Sequence, residues 1–182
     1  RKGRRMAFEL VLDADGIIRR PRLTPPPRDT HKYARGHAMV VSGPPLRTGA
    51  SRLAAKAALA VGAGLVTIIG HPDALAEHAA HVSAIMLREA DPLLSVIDDR
   101  VRAVAIGPGA GTCADTWQAV QALLSRDCAA VIDADAITSF EGEPGALFEM
   151  LHHQAVLTPH DGEFGRLFPD LDLAQRHHAV GR

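Results

Sequence analysis

Leu157-Thr158-Pro159-His160-Asp161-Gly162-Glu163-Phe164 ends an apolar run, turns on a proline and opens a helix with acids in its first turn. A strand that delivers His160 and Glu163 to its carboxyl end is building a site. The pattern recurs twice upstream, where Val104-Ala105-Ile106 runs into Gly107-Pro108-Gly109-Ala110-Gly111 and Ala130-Val131-Ile132 runs into Asp133-Ala134-Asp135. Three strand ends with special chemistry imply one shared cleft.

From His37 onward, short aliphatic runs alternate with longer Ala-rich stretches at the spacing of βα units. The runs predict strands at 38–42, 64–69, 84–87, 102–106, 129–133 and 155–158. Between the first two lies a helix from Thr48, its candidate N-cap, to Gly62 or Gly64 at its C-terminus. Its small residues suit close packing on a sheet, and its Gly49-Ala50 entry lets a ligand approach backbone N–H groups. Further helices are predicted at 73–81, 114–125, 144–152 and 162–168. Val/Ile/Ala strands without clean alternation are buried on both faces, so the fold class is three-layer α/β/α with a mostly parallel sheet.

Residues 1–30 differ in character. A Phe8-Glu9-Leu10-Val11-Leu12 run precedes Pro21-Arg22-Leu23-Thr24-Pro25-Pro26-Pro27, which reads as a linker or N-terminal arm and leaves 31–182 as the domain.

The chain has 182 residues, 47% hydrophobic and 23% charged, enough for one globular core. Its 20 basic and 21 acidic residues give a formal charge of -1, so no global field points toward nucleic acid or a membrane. Trp117, Tyr33 and five Phe leave no stacking platform for single-stranded nucleic acid. The expected partner is a small molecule. Cys113 and Cys128 are too few for a disulfide framework, which fits a reducing, cytoplasmic setting. No apolar run approaches the roughly 20 residues that span a bilayer, and the basic stretch Arg1 to Arg5 is not followed by a signal-type apolar region.

Each motif has a structural reading beside the chemical one. The glycines of 107–111 can expose N–H groups to a phosphate or carbonyl, or serve a tight turn needing positive φ. Asp133 and Asp135 bracket Ala134; in an extended chain they point the same way, which suits a metal, base or ligand hydroxyl, while helix capping is the alternative. His160 and Glu163 share one face of a helical first turn, poised for a ligand or merely complementing the helix dipole. No HExxH or cysteine pair supports zinc. His71, His78 and His81, His152 and His153, and His177 and His178 read as solvated surface. No GxSxG elbow, Walker loop or GxGxxG after the first strand occurs, and Gly43-Pro44-Pro45-Leu46-Arg47-Thr48-Gly49 lacks the phosphate-loop lysine.

Over residues 31 to about 168 the chain resembles the ADP/ATP-dependent NAD(P)H-hydrate dehydratase family, a ribokinase-like, carbohydrate-kinase-related domain often fused to an NAD(P)H-hydrate epimerase. The resemblance is carried in order by His31-Lys32 with Gly36, Val40-Val41-Ser42-Gly43, Gly49-Ala50 through Ala63-Gly64-Leu65-Val66, Gly107-Pro108-Gly109-Ala110-Gly111, Asp133-Ala134-Asp135-Ala136 and Leu157 to Phe164. It implies a ribokinase-like fold and a repair reaction in which the hydrated nicotinamide ring is phosphorylated by ADP or ATP and phosphate is then eliminated. It further implies contacts to NADH-hydrate or NADPH-hydrate from Ala50, Gly109, Gly111 and His160. Glu163 falls where related enzymes carry an Asn-x-x-Glu motif tied to Mg2+ and phosphate handling, and Asp133 and Asp135 line the same cleft.

Two departures qualify the match. The family's first glycine-rich loop reads Gly-Gly-Ser, whereas Ser42-Gly43-Pro44-Pro45 is stiffer and offers fewer backbone donors. The family's Lys-Gly strand and Gly-x-Gly-Asp helix start, whose Asp is the expected base, do not occur before Arg182. The expectation is a partial domain, inactive alone, within an active parent, with an open sheet edge that invites a homo-oligomer. The competing readings are a ribokinase-like small-molecule kinase and a non-catalytic nucleotide-binding protein.

Overall fold

The computed structural model describes residues 29–92 and 95–170. The arm and linker expected over residues 1–28 and the tail histidines His177 and His178 lie outside the described residues. Six strands form one sheet: β1 (His37–Val41), β2 (Leu65–Gly70), β3 (Met86–Glu89), β4 (Val101–Ile106), β5 (Ala129–Ile132) and β6 (Ala155–Leu157). Their order is β3-β2-β1-β4-β5-β6, and every neighbouring pair is parallel. The chain winds outward from β1 in one direction, then returns to β4 and winds outward in the other. The switch point between β1 and β4 opens a crevice at the strands' carboxyl ends.

The helices are α1 (Gly49–Ala60), α2 (Pro72–Ala79), α3 (Ala114–Leu124), α4 (Ala134–Thr138), α5 (Pro144–Met150) and α6 (Asp161–Leu167), with a 3-10 turn at Lys32–Arg35. Strand pleating divides the core between two faces. Met39, Val41, Ile69, Val104, Ile106, Ala130 and Ile132 point into one cluster with Val120, Leu123, Ile137, Phe140 and Leu147. Val40, Val66 and Ile68 point the other way, against Ala55 of α1 and Ile85. Among the described residues nothing covers Val131 and Val156 on that second face beyond β4; both are exposed although they belong to apolar strands.

All six expected strands are present within a residue or two of their expected ends. The helix end at Gly62 is realised, because Gly62 takes φ +114° and the Ala63 N–H reaches back to Ala58 O at 3.1 Å. Gly64 has another task, since a Cβ there would lie 1.7 Å from Lys32 O. Thr48 does not cap: its backbone is helical (φ -90°, ψ -8°) and it makes no capping bond. The short α4 is absent from the predicted helices and matches only the capping alternative for Asp133 and Asp135; it is a single turn entered through Ala134 at φ +47°, with no apolar periodicity to signal it.

Candidate active-site cleft

Four strand-end segments, after β1, β4, β5 and β6, lie in a row along the carboxyl edge of the sheet, starting at the switch point. The loop after β1 (42–48) and the glycine turn after β4 (107–111) touch through their backbones: a Cβ on Gly43 would lie 2.7 Å from Gly109 O, and one on Gly109 would lie 3.0 Å from Arg47 O. The glycine turn also presses on the end of β5, where a Cβ on Gly107 would lie 1.7 Å from Asp133 O. Gly107, Gly109 and Gly111 take φ of +139°, +74° and +82°, so the requirement for positive φ is met throughout the turn. A Cβ on Gly111, or on Gly49 at the start of α1, would meet nothing within 4 Å, so both backbones border open space. Ala50 is exposed beside Gly49.

Asp133 and Asp135 do not act as a pair. The left-handed Ala134 between them turns the chain, so Asp133 Oδ1 accepts from Thr158 Oγ1 at 2.8 Å while Asp135 Oδ2 accepts from Gly111 N–H at 2.8 Å. The shared orientation expected of an extended segment is thereby corrected. Each carboxylate ties its strand end to the next loop, and neither caps α4 by a side-chain bond.

His160 and Glu163 form a reciprocal cap on α6. His160 Nδ1 accepts from Gly162 N–H at 3.0 Å and from Glu163 N–H at 3.2 Å, and Glu163 Oε2 accepts from His160 N–H at 3.0 Å. A ring whose Nδ1 accepts backbone protons carries its own proton on Nε2 when neutral. That Nε2 stands 3.2 Å from Glu163 Oε1. Glu163 is buried, whereas the His160 side chain is 67% exposed.

These carboxylates do not fit a directly bound Mg2+, because each is engaged by a backbone or hydroxyl donor. Among the described residues no group of three or more His, Cys, Asp or Glu could hold a metal ion. No helix of the described residues is long and apolar enough to cross a membrane.

Beside the loops lies a cavity of about 830 Å³ over the carboxyl ends of β1, β2 and β3, walled on its other side by α3. It is bordered by Ser42, Gly43, Asp91, Ala110, Cys113 and Thr116, among others, and by none of the seven residues singled out from sequence. Cys113 is exposed, and bonds from Thr116 hold its thiol below the ordinary value. His78 is the clearest departure from expectation. It is fully buried, not solvated, with Nε2 2.8 Å from Ser42 Oγ and burial foremost pushing its pKa down. His152 is half-buried with its Nε2 enclosed, whereas His71, His81 and His153 are exposed as expected.

The sheet order, the glycine turn at the switch point and the capped β6–α6 junction define an α/β protein of the ribokinase-like class. A ribokinase-like superfamily protein from Enterococcus faecalis superposes with a TM-score of 0.70 at 28% identity, covering 86% of this chain and 58% of that one. The ADP/ATP-dependent NAD(P)H-hydrate dehydratase of Bacillus subtilis, co-crystallised with ATP/Mg2+, superposes with a TM-score of 0.66 at 25% identity, covering 79% of this chain and 51% of that one. A family model described as NAD(P)H-hydrate dehydratase matches residues 38–182. The chain belongs to the NAD(P)H-hydrate dehydratase family, whose members are lyases. A bifunctional NAD(P)H-hydrate repair enzyme of Synechocystis is 36% identical over 163 residues, 85% of this chain and 31% of that protein. That of Moorella thermoacetica is 38% identical over 151 residues, 75% of this chain and 28% of that protein. The chain thus spans about a third of the length of the curated relatives it matches.

Proposed function

We propose that this chain contributes the dinucleotide-facing half of an ADP/ATP-dependent NAD(P)H-hydrate dehydratase, a repair enzyme that returns hydrated NADH or NADPH to the reduced cofactor. The observation that carries the reading is the run of contacts along the carboxyl edge of the sheet, from the loop after β1 to the glycine turn and on through Asp135 and Asp133 to Thr158 at the end of β6. In this reading the backbones at Ala50, Gly109 and Gly111 approach the hydrated dinucleotide, and the exposed ring of His160 meets it from the start of α6. Asp135 organises the glycine turn through Gly111, and Asp133 and Glu163 fix the β5 and β6 ends beside it. When bound, ADP or ATP supplies the phosphoryl group that turns the ring hydroxyl into a leaving group. Mg2+ enters with the nucleotide phosphates, which suits an ion that keeps several waters and few protein ligands. A fused epimerase domain, a homo-oligomeric state and a cytoplasmic location complete the proposal; the bifunctional names of the relatives support the first.

The test is recovery of NAD(P)H absorbance from hydrated NAD(P)H with ADP or ATP, run on this chain and on its longest in-frame parent. Activity in the parent alone is the expected result. Activity in neither would overturn the dehydratase reading in favour of a ribokinase-like small-molecule kinase or a nucleotide-binding protein.

A further inference from the structure

The loop between β1 and α1 is held at both ends by two adjacent residues of α2. Glu77 Oε1 accepts from Leu46 N–H at 2.8 Å and its Oε2 accepts from Thr48 Oγ1 at 2.8 Å. At the other end His78 Nε2 lies 2.8 Å from Ser42 Oγ, which itself donates to Gly43 O at 2.7 Å. A hydroxyl that donates to a carbonyl accepts from the ring, so in the neutral ring His78 Nε2–H is the donor. Ser51 Oγ donates to Thr48 O at 2.9 Å and Arg52 Nη1 donates to Thr48 Oγ1 at 2.6 Å, which ties the same point to the first turn of α1.

The held segment is not a relaxed one. Leu46 sits at φ +68° with its side chain 93% exposed, so no packing of its own explains that left-handed conformation. The Glu77 bond to its N–H does. The bonds from Thr48, foremost, and Leu46 hold the Glu77 carboxyl below its ordinary pKa. His78 is enclosed, and its Nδ1 has no hydrogen-bond partner among the described residues, a cost that Ser42 and the surrounding packing must outweigh. What the loop gains is its seat, with Gly43 and Arg47 against Gly109.

We infer that Glu77 and His78 are positioning residues, which hold the β1–α1 loop in the shape that seats it on the glycine turn and so set dinucleotide affinity from outside the cleft. The inference rests on the dehydratase reading for the ligand, and on geometry alone for the clamp.

Two measurements on the 182-residue chain separate those parts: amide hydrogen exchange at Gly43 and Leu46–Thr48, and affinity for NADPH. Glu77 is only half-buried, so Glu77→Ala should fold and keep its Tm within about 3 °C. It is expected to speed exchange at Leu46–Thr48 about tenfold and to weaken NADPH about tenfold. Glu77→Gln, whose amide can still accept from Leu46 and donate to Thr48, is expected to recover most of both. His78→Gln, which can still donate to Ser42, should resemble wild type, and His78→Leu should speed exchange at Gly43. Unchanged exchange in Glu77→Ala would overturn the clamp. Faster exchange with unchanged NADPH affinity would overturn the positioning role. A wild-type chain with no measurable NADPH affinity would sink the dinucleotide reading by itself, and the clamp would then stand or fall on exchange, which needs no ligand.

Discussion

His160 caps α6 and, in the proposed function, also meets the ligand; conservative substitution can tell the two apart. His160→Ala removes the acceptor for the Gly162 and Glu163 N–H groups and should cost about 1 kcal/mol of stability, read as a lower Tm. His160→Asn supplies a capping oxygen and should restore most of that stability while leaving NADPH binding as weak as in His160→Ala; recovery of both would reduce His160 to a cap. The His160–Glu163 relationship was legible because a cap is local, three residues of one helical turn. His78 was illegible for the opposite reason. Its burial depends on a serine 36 positions away at the end of β1, and nothing within α2 marks it. That burial carries a pH signature. Folding lowers the His78 pKa from 6.5, so the unfolded ring takes up its proton first as pH falls. Stability is therefore full above about pH 6.5 and declines from there down to the folded value. His37, lowered chiefly by burial as well, adds in the same direction. Thermal unfolding at pH 7.5 and 5.5 should show a lower Tm at the acid value, with a smaller gap in His78→Gln.

At the scale of elements, the glycines of positive φ sort by what their backbones touch. Gly107→Ala would combine φ +139° with a collision against Asp133 O, and a loss on the order of 3 kcal/mol is expected. Gly62→Ala, at φ +114° with open space around it, should cost only about 1 kcal/mol. Equal losses in chemical denaturation would refute the close packing of β4's end on β5. The strands themselves were readable because buried parallel strands are written as continuous aliphatic runs. The α4 turn and the true role of Thr48 were not, since both depend on contacts made across the sheet: Thr48 faces Glu77 of α2, and Ala134 is bent between two anchored aspartates.

For the whole molecule, the two faces of the sheet are unequally clothed. The face over β5 and β6 leaves Val131 at 36% and Val156 at 52% exposure, and β6 is an edge strand. Such a face, with β6 at the sheet edge among the described residues, favours self-association. Light scattering across a concentration series should show growth in mass for the 182-residue chain, reduced by Val156→Lys; a monomer at all concentrations would refute it. The meeting of Gly43, Gly109, Gly107 and Asp133 has a different kind of consequence. Where main chain rests on main chain through glycines, no side chain is there to be adjusted, and any substitution adds a Cβ that collides rather than tunes the fit. Descendants of this chain could vary the walls of the cleft freely, but its floor would change only by moving a strand, so innovation in ligand choice should collect in the loop after β1 and around α3.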